Sequence, residues 1–107
     1  MKPDAAVNIN GLDWNVFFVD KTHEELVGED GEQNAYGIAL LREGEIYIDD
    51  SLPEGLKRKI VTHELIHAVA FTYSVDLDNA DEEQICDFVA THFDELKTLR
   101  KAILKAV

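Results

Sequence analysis

The spacing of apolar residues changes character near the middle of the chain. In the first half, short runs rich in β-branched and aromatic residues predict strands over residues 7–9, 14–19, 35–41 and 45–49. In the second half, apolar residues three and four positions apart predict two helices, one over about residues 51–71 and one from about residue 79 onward. The pattern favours an α+β fold, in which a short antiparallel sheet of about three strands packs on the two helices.

Turn and cap signals mark where these elements begin and end. Asn10-Gly11 is a turn dipeptide, and Arg42-Glu43-Gly44 is expected at the tip of a hairpin. Ser51-Leu52-Pro53-Glu54 and Asn79-Ala80-Asp81-Glu82 both have the form of a capping box at a helix N-terminus. With no internal repeat or low-complexity linker, residues 1–107 are expected to form a single domain.

The charge balance narrows the choice of partners. Ten basic residues stand against 22 acidic ones, for a formal net charge of −12. This balance argues against binding to nucleic acid or to an anionic membrane, and favours divalent cations and basic substrate segments. A single cysteine, Cys86, excludes an internal disulfide, and residues 1–8 lack the apolar core of a secretory signal. A cytoplasmic location is expected.

The first predicted helix carries the segment His63-Glu64-Leu65-Ile66-His67. Positions i and i+4 share one face of a helix, so His63 and His67 can direct ring nitrogens at one ion, and zinc accepts imidazole readily. Glu64 lies about 100° further round the helix and can hold a water that the metal also holds. Zinc lowers the pKa of such a water, and the carboxylate takes its proton. This pattern predicts one Zn²⁺ ion and hydrolytic chemistry.

A catalytic zinc site needs a third protein ligand and one open position. Glu83, near the start of the second predicted helix, is the preferred donor, with Glu82 as its main rival and Asp81 as a weaker one. Asp87 follows Glu83 by one helical turn and could accept a hydrogen bond from the remoter nitrogen of a zinc histidine. Cys86 is a further potential donor, although we expect it to be a small, buried hydrophobic residue.

Together these residues resemble the gluzincin zinc peptidases. His63-Glu64-x-x-His67 followed by Glu83-x-x-x-Asp87 is similar to their smallest forms, the minigluzincins and the ImmA/IrrE-type metallopeptidases of phages and bacteria. The resemblance covers roughly residues 35–93. It implies that His63, His67 and Glu83 bind zinc, that Glu64 is the general base and later the proton donor, and that Asp87 orients His63. It also implies a cleft rimmed by the strand at residues 45–49 or its hairpin partner.

The sequence departs from the larger gluzincins after Phe93, where only fourteen residues follow and none is His or Tyr. A side chain that stabilises the oxyanion would have to come from elsewhere, and the candidates are Tyr36, Tyr47, Tyr73, His23, Arg42 and His92. The sequence therefore predicts a zinc metallopeptidase acting on a protein or peptide. The alternative is a zinc-binding module of the same fold that works by association, with little or no proteolysis.

Overall fold

The computed structural model describes residues 1–106. Four strands precede two helices along the chain: β1 (Ala5–Ile9), β2 (Leu12–Val19), β3 (Gly37–Leu40), β4 (Glu45–Asp49), α1 (Glu54–Thr72) and α2 (Glu82–Lys105). The α+β class is confirmed. The sheet has four strands rather than about three, in the order β1-β2-β4-β3. It is mixed rather than antiparallel, because β2 and β4 run parallel.

The turn predicted at Asn10-Gly11 and the hairpin predicted at residues 42–44 both form. Asn10 and Gly11 connect β1 to β2 with positive φ angles of 46° and 89°, as a two-residue hairpin turn requires. Strands β3 and β4 pair antiparallel around residues 41–44, with Gly44 at a φ of 66°. This second hairpin places β3 at one edge of the sheet, where only one side of the strand is paired.

The segment between β2 and β3 explains why the sheet is mixed. After β2, residues 20–36 cover the sheet face that lies away from the helices, and the chain re-enters the sheet beyond β4. Leu26, the fully buried residue of this segment, packs in a small cluster with Phe17, Val19 and Tyr47. Ile46 and Ile48 alternate along β4 with Tyr47 and Asp49, a pattern typical of a strand with one buried face, but Tyr47 and Asp49 on the other face are buried as well.

The main core lies between the opposite sheet face and the two helices. Strands β2 and β4 contribute Val16, Ile46 and Ile48, while α1 contributes a stripe that includes Leu65 and Val69. The histidines lie on the other side of α1 and are exposed. No helix within residues 1–106 is both long enough and apolar enough to span a bilayer.

The two predicted capping boxes were wrong in detail. Helix α1 starts after Pro53 with no side-chain cap, because the Ser51 hydroxyl donates to Asp49 at 2.6 Å instead. Helix α2 is capped by Asp81, which accepts from the Gln84 backbone N–H at 2.8 Å, while the Gln84 side chain accepts from Asp81 N–H. The box is therefore real but begins two residues later than Asn79, and Glu82 and Glu83 become the first helical residues.

Candidate metal centre

Helix α1 brings three side chains of the predicted site together. One potential ligand atom from each of His63, Glu64 and His67 lies within 4.8 Å of the other two. The two imidazole rings have centroids 5.0 Å apart and are inclined by 70°. In residues 1–106, these three are the group of His, Cys, Asp or Glu side chains whose spacing could hold a metal ion. The donor set suits zinc, which takes imidazole nitrogen and carboxylate oxygen.

Glu64 differs from the two histidines in its surroundings. Both imidazoles are exposed, whereas Glu64 is only 6% exposed. Strand β3 closes over it at Gly37, where an added Cβ would lie 3.2 Å from Glu64 Cγ and 2.6 Å from Ile60 Cγ2. The carboxylate is therefore held between the edge strand and the helix, directly beside the exposed imidazoles.

Burial sets the acidity of this carboxyl group. It raises the pKa of Glu64 above its ordinary value, and charged forms of His63 and His67 act in the opposite direction. A carboxyl with a raised pKa is a stronger base than an exposed one and accepts a proton more readily near neutral pH.

A cavity of about 140 Å³ opens beside His67. It lies between the end of α1 and the connector to α2, and its other lining residues are Leu41, Ala70, Phe71, Val75, Asp76, Leu77 and Asp78. Sequence reasoning passed over the two connector aspartates, although their positions nine and eleven residues after His67 are a usable signal. The Asp76 carboxylate already accepts a hydrogen bond from the Asn79 side-chain amide at 2.6 Å. Asp78 is exposed and accessible from this cavity.

Glu83 and Asp87 lie in the first two turns of α2 and are exposed. Neither belongs to the group of closely spaced donors on α1. Val75 links the two regions, because it lines both the cavity beside His67 and a second cavity lined by Asp87. The rival donors have other surroundings. Asp81 caps α2, Glu82 is exposed, and Cys86 is exposed, so the expectation of a buried thiol was wrong.

Most of the candidate oxyanion donors are engaged elsewhere. Tyr73 donates to Glu95 at 3.0 Å and packs at an inclined angle against His92, whose ring nitrogen is also hydrogen-bonded to Glu95. His23 and Tyr47 pack together on the far face of the sheet, and Tyr36 alternates with Gly37 toward that same face. Arg42 is exposed and follows Leu41, which lines the cavity beside His67.

No protein-family profile, curated protein or solved structure matches this chain. The case for a function therefore rests on the residues of the site and their geometry.

Proposed function

We propose that this protein is a zinc-dependent metallopeptidase that hydrolyses peptide bonds. The observation that carries the proposal is the grouping of His63, Glu64 and His67, whose potential ligand atoms lie within 4.8 Å of one another. Two exposed imidazoles beside a buried carboxylate would supply two ligands and the base of a hydrolytic zinc site, which needs one further protein ligand.

His63 and His67 would hold the ion through ring nitrogens. A bound zinc ion would acidify a water molecule and polarise the substrate carbonyl. Glu64 takes the proton of the attacking water and later delivers it to the leaving amine. Its burial beside β3 favours this role, because close packing against Gly37 restricts the side chain and desolvation makes the carboxylate more basic.

Glu83 is the proposed third ligand, and Asp87 the residue that orients His63. Both are exposed in the first turns of α2, and Val75 lines both the cavity beside His67 and the cavity lined by Asp87. Asp78 is the second candidate for the third position, because it lines the same cavity as His67. Either carboxylate would leave one coordination position open for water or substrate.

The proposed substrate is an extended peptide of a cytoplasmic protein. Strand β3 is an edge strand, so its outer backbone groups have no partner in the sheet, and Gly37 places it in contact with Glu64. A peptide that pairs with this edge would present its backbone carbonyls along α1, beside the two histidines.

Replacement of Glu64 by Gln tests the mechanism. Glu64→Gln should retain zinc, measured by metal analysis of the purified protein, and should lower hydrolysis of casein or a mixed peptide library by at least about a hundredfold. Glu54→Gln makes the same change on an exposed acid of the same helix and should leave hydrolysis unaltered.

Three outcomes separate the alternatives. Equal cleavage by Glu64→Gln and the parent protein would refute the role of Glu64. A parent protein that holds one zinc ion but cleaves nothing would favour a zinc-binding module that acts by association. A parent protein that holds no zinc after purification with added zinc would exclude both.

A further inference from the structure

A basic groove at one end of the helical layer is not explained by the metal site. Seven of the ten Lys and Arg residues fall within residues 57–59 and 97–105, and neither segment contains an acid. Residues 60–96 between them contain no Lys or Arg. A molecule with a net charge of −12 thus collects most of its positive charge where α1 begins and α2 ends.

The basic groove is a cavity of about 440 Å³ lined by Arg58, Lys97, Arg100, Lys101, Leu104 and Lys105. Among residues 1–106, no carboxylate lines it. A second cavity of about 440 Å³ adjoins it, shares Arg58 and Leu104, and adds Leu52, Glu54 and Lys57. Ion pairing is sparse here. Within residues 1–106, Arg58 meets Glu54 at 3.8 Å on a largely exposed surface, and Lys57 meets Asp50 at 3.0 Å outside the groove.

The helix dipole explains the basic residues at the end of α2 but not those at the start of α1. Lysines in the last turns of α2 suit the negative end of the helix dipole, but Lys57, Arg58 and Lys59 lie in the first two turns of α1, at its positive end. The dipole does not stabilise cations at that end, and within residues 1–106 only Lys57 and Arg58 of the three pair with a carboxylate, those of Asp50 and Glu54. The convergence of basic residues from both helices therefore points to an anionic ligand.

We propose that the basic groove is a docking site for an acidic polypeptide segment of a partner protein. Five Lys and Arg side chains line the groove, with no carboxylate among the described residues, so they could pair with several Asp or Glu side chains of a partner. Salt would weaken such pairs little, because the paired charges would lie closer together than the screening length of about 8 Å in physiological salt. The adjoining cavity offers two leucines and Glu54, which suit a peptide with mixed side chains and disfavour a uniform polyphosphate or nucleic-acid backbone. This proposal does not depend on the metal site.

Fluorescence anisotropy with a fluorescein-labelled peptide, Glu-Glu-Leu-Glu-Glu-Leu-Glu, tests the proposal on the full chain. The peptide should bind at about 0.15 M salt, its Gln-for-Glu counterpart should not, and Lys101→Glu/Lys105→Glu should weaken binding at least about tenfold. Lys2→Glu/Lys21→Glu carries the same change in net charge on exposed residues away from the groove, and should weaken binding less than about twofold. Circular dichroism would confirm that both variants fold.

Several results would overturn the proposal. Equal weakening by the two double variants would mean that only net charge matters. Binding of tripolyphosphate or a short single-stranded DNA, lost in Lys101→Glu/Lys105→Glu while the acidic peptide does not bind, would assign the groove to phosphates. Self-association by sedimentation, abolished by Lys101→Glu/Lys105→Glu, would assign it to a second copy of this chain.

Discussion

At the scale of single residues, the contact between Gly37 and Glu64 holds the proposed base in place. A methyl group at Gly37 would meet Ile60 Cγ2 at 2.6 Å and Glu64 Cγ at 3.2 Å, so β3 and α1 would have to separate. Gly37→Ala should lower the free energy of unfolding by about 1–3 kcal/mol, and should reduce hydrolysis further by displacing Glu64. Urea denaturation and peptide cleavage measure the two effects.

Gly55→Ala is the matched control, since nothing lies within 4 Å of a Cβ added there and the residue is in the first turn of α1. It should leave the stability unchanged or raise it by up to about 1 kcal/mol, because alanine favours helix over glycine. If Gly37→Ala is as stable as Gly55→Ala, the close packing of β3 on Glu64 is wrong.

The residues of α1 could be predicted from the sequence because their relation is local. His63, Glu64 and His67 lie within one turn and a half, and helix geometry alone fixes their spacing. The sequence did not reveal that Asp78 lies near His67, and it could not fix the position of Glu83 relative to the histidines, because both relations are non-local. The path of the connector between α1 and α2 decides which carboxylate approaches His67, and no periodic pattern encodes that path.

At the scale of elements, Asp49 joins three segments of the chain. It is 1% exposed at the end of β4 and accepts from the Ser51 hydroxyl and the Gln33 side chain, both at 2.6 Å. Gln33 belongs to the covering segment and Ser51 leads into α1, so one carboxylate ties the sheet to both. The alternation along β4 could not reveal this burial, since it depends on a long segment folding back over the sheet.

Asp49→Asn should lower the free energy of unfolding at neutral pH by about 1–3 kcal/mol, because an amide cannot accept the same hydrogen bonds. Burial alone would raise the pKa of Asp49, but the hydrogen bonds from Ser51 and Gln33 outweigh it and leave this pKa below its ordinary value. A depressed pKa stabilises the fold above the unfolded-state value of about 3.9, and this stability is lost as the pH falls through the folded-state pKa.

Urea denaturation between about pH 7 and pH 3 would show the parent protein losing stability in acid, with the difference from Asp49→Asn shrinking at the low end. Asp50→Asn is the control: it removes a neighbouring carboxylate that pairs with Lys57 at the surface, and should cost less than about 1 kcal/mol. A constant difference across the pH range would contradict the depressed pKa.

The approach of α2 to α1 would decide which carboxylate serves as the proposed third zinc ligand. With Glu83 as that ligand, Glu83→Gln should weaken zinc binding by about tenfold or more, measured by competition with a chelating dye. Glu82→Gln, an equally exposed acid one position away, should change it less than about twofold. A large loss in Asp78→Asn with none in Glu83→Gln would assign the ligand to the connector instead.

At the scale of the whole molecule, the charge distribution separates two surfaces. Glu64 lies between the two histidines and Asp76 and Asp78 line the cavity beside His67, while the basic groove lies where α1 begins and α2 ends. A net charge of −12 attracts any divalent cation, so weak accumulation of ions near the acids is expected without a specific site. Specific zinc binding must therefore be distinguished from this background by its dependence on the histidines.

Thermal unfolding makes that distinction. Zinc at about 100 times its dissociation constant should stabilise the folded state by about 2.7 kcal/mol, which corresponds to a rise of about 10–20 °C in Tm for a domain of this size. His67→Ala should abolish the rise without unfolding the apo-protein, because His67 is exposed and lies outside the core. The Tm shift in magnesium at the same concentration measures the general attraction of divalent cations to the acidic protein, since magnesium prefers oxygen ligands to imidazole. If magnesium raised the Tm as much as zinc, or if His67→Ala kept the full effect of zinc, the ion would be bound by the acidic surface and not by the histidines of α1.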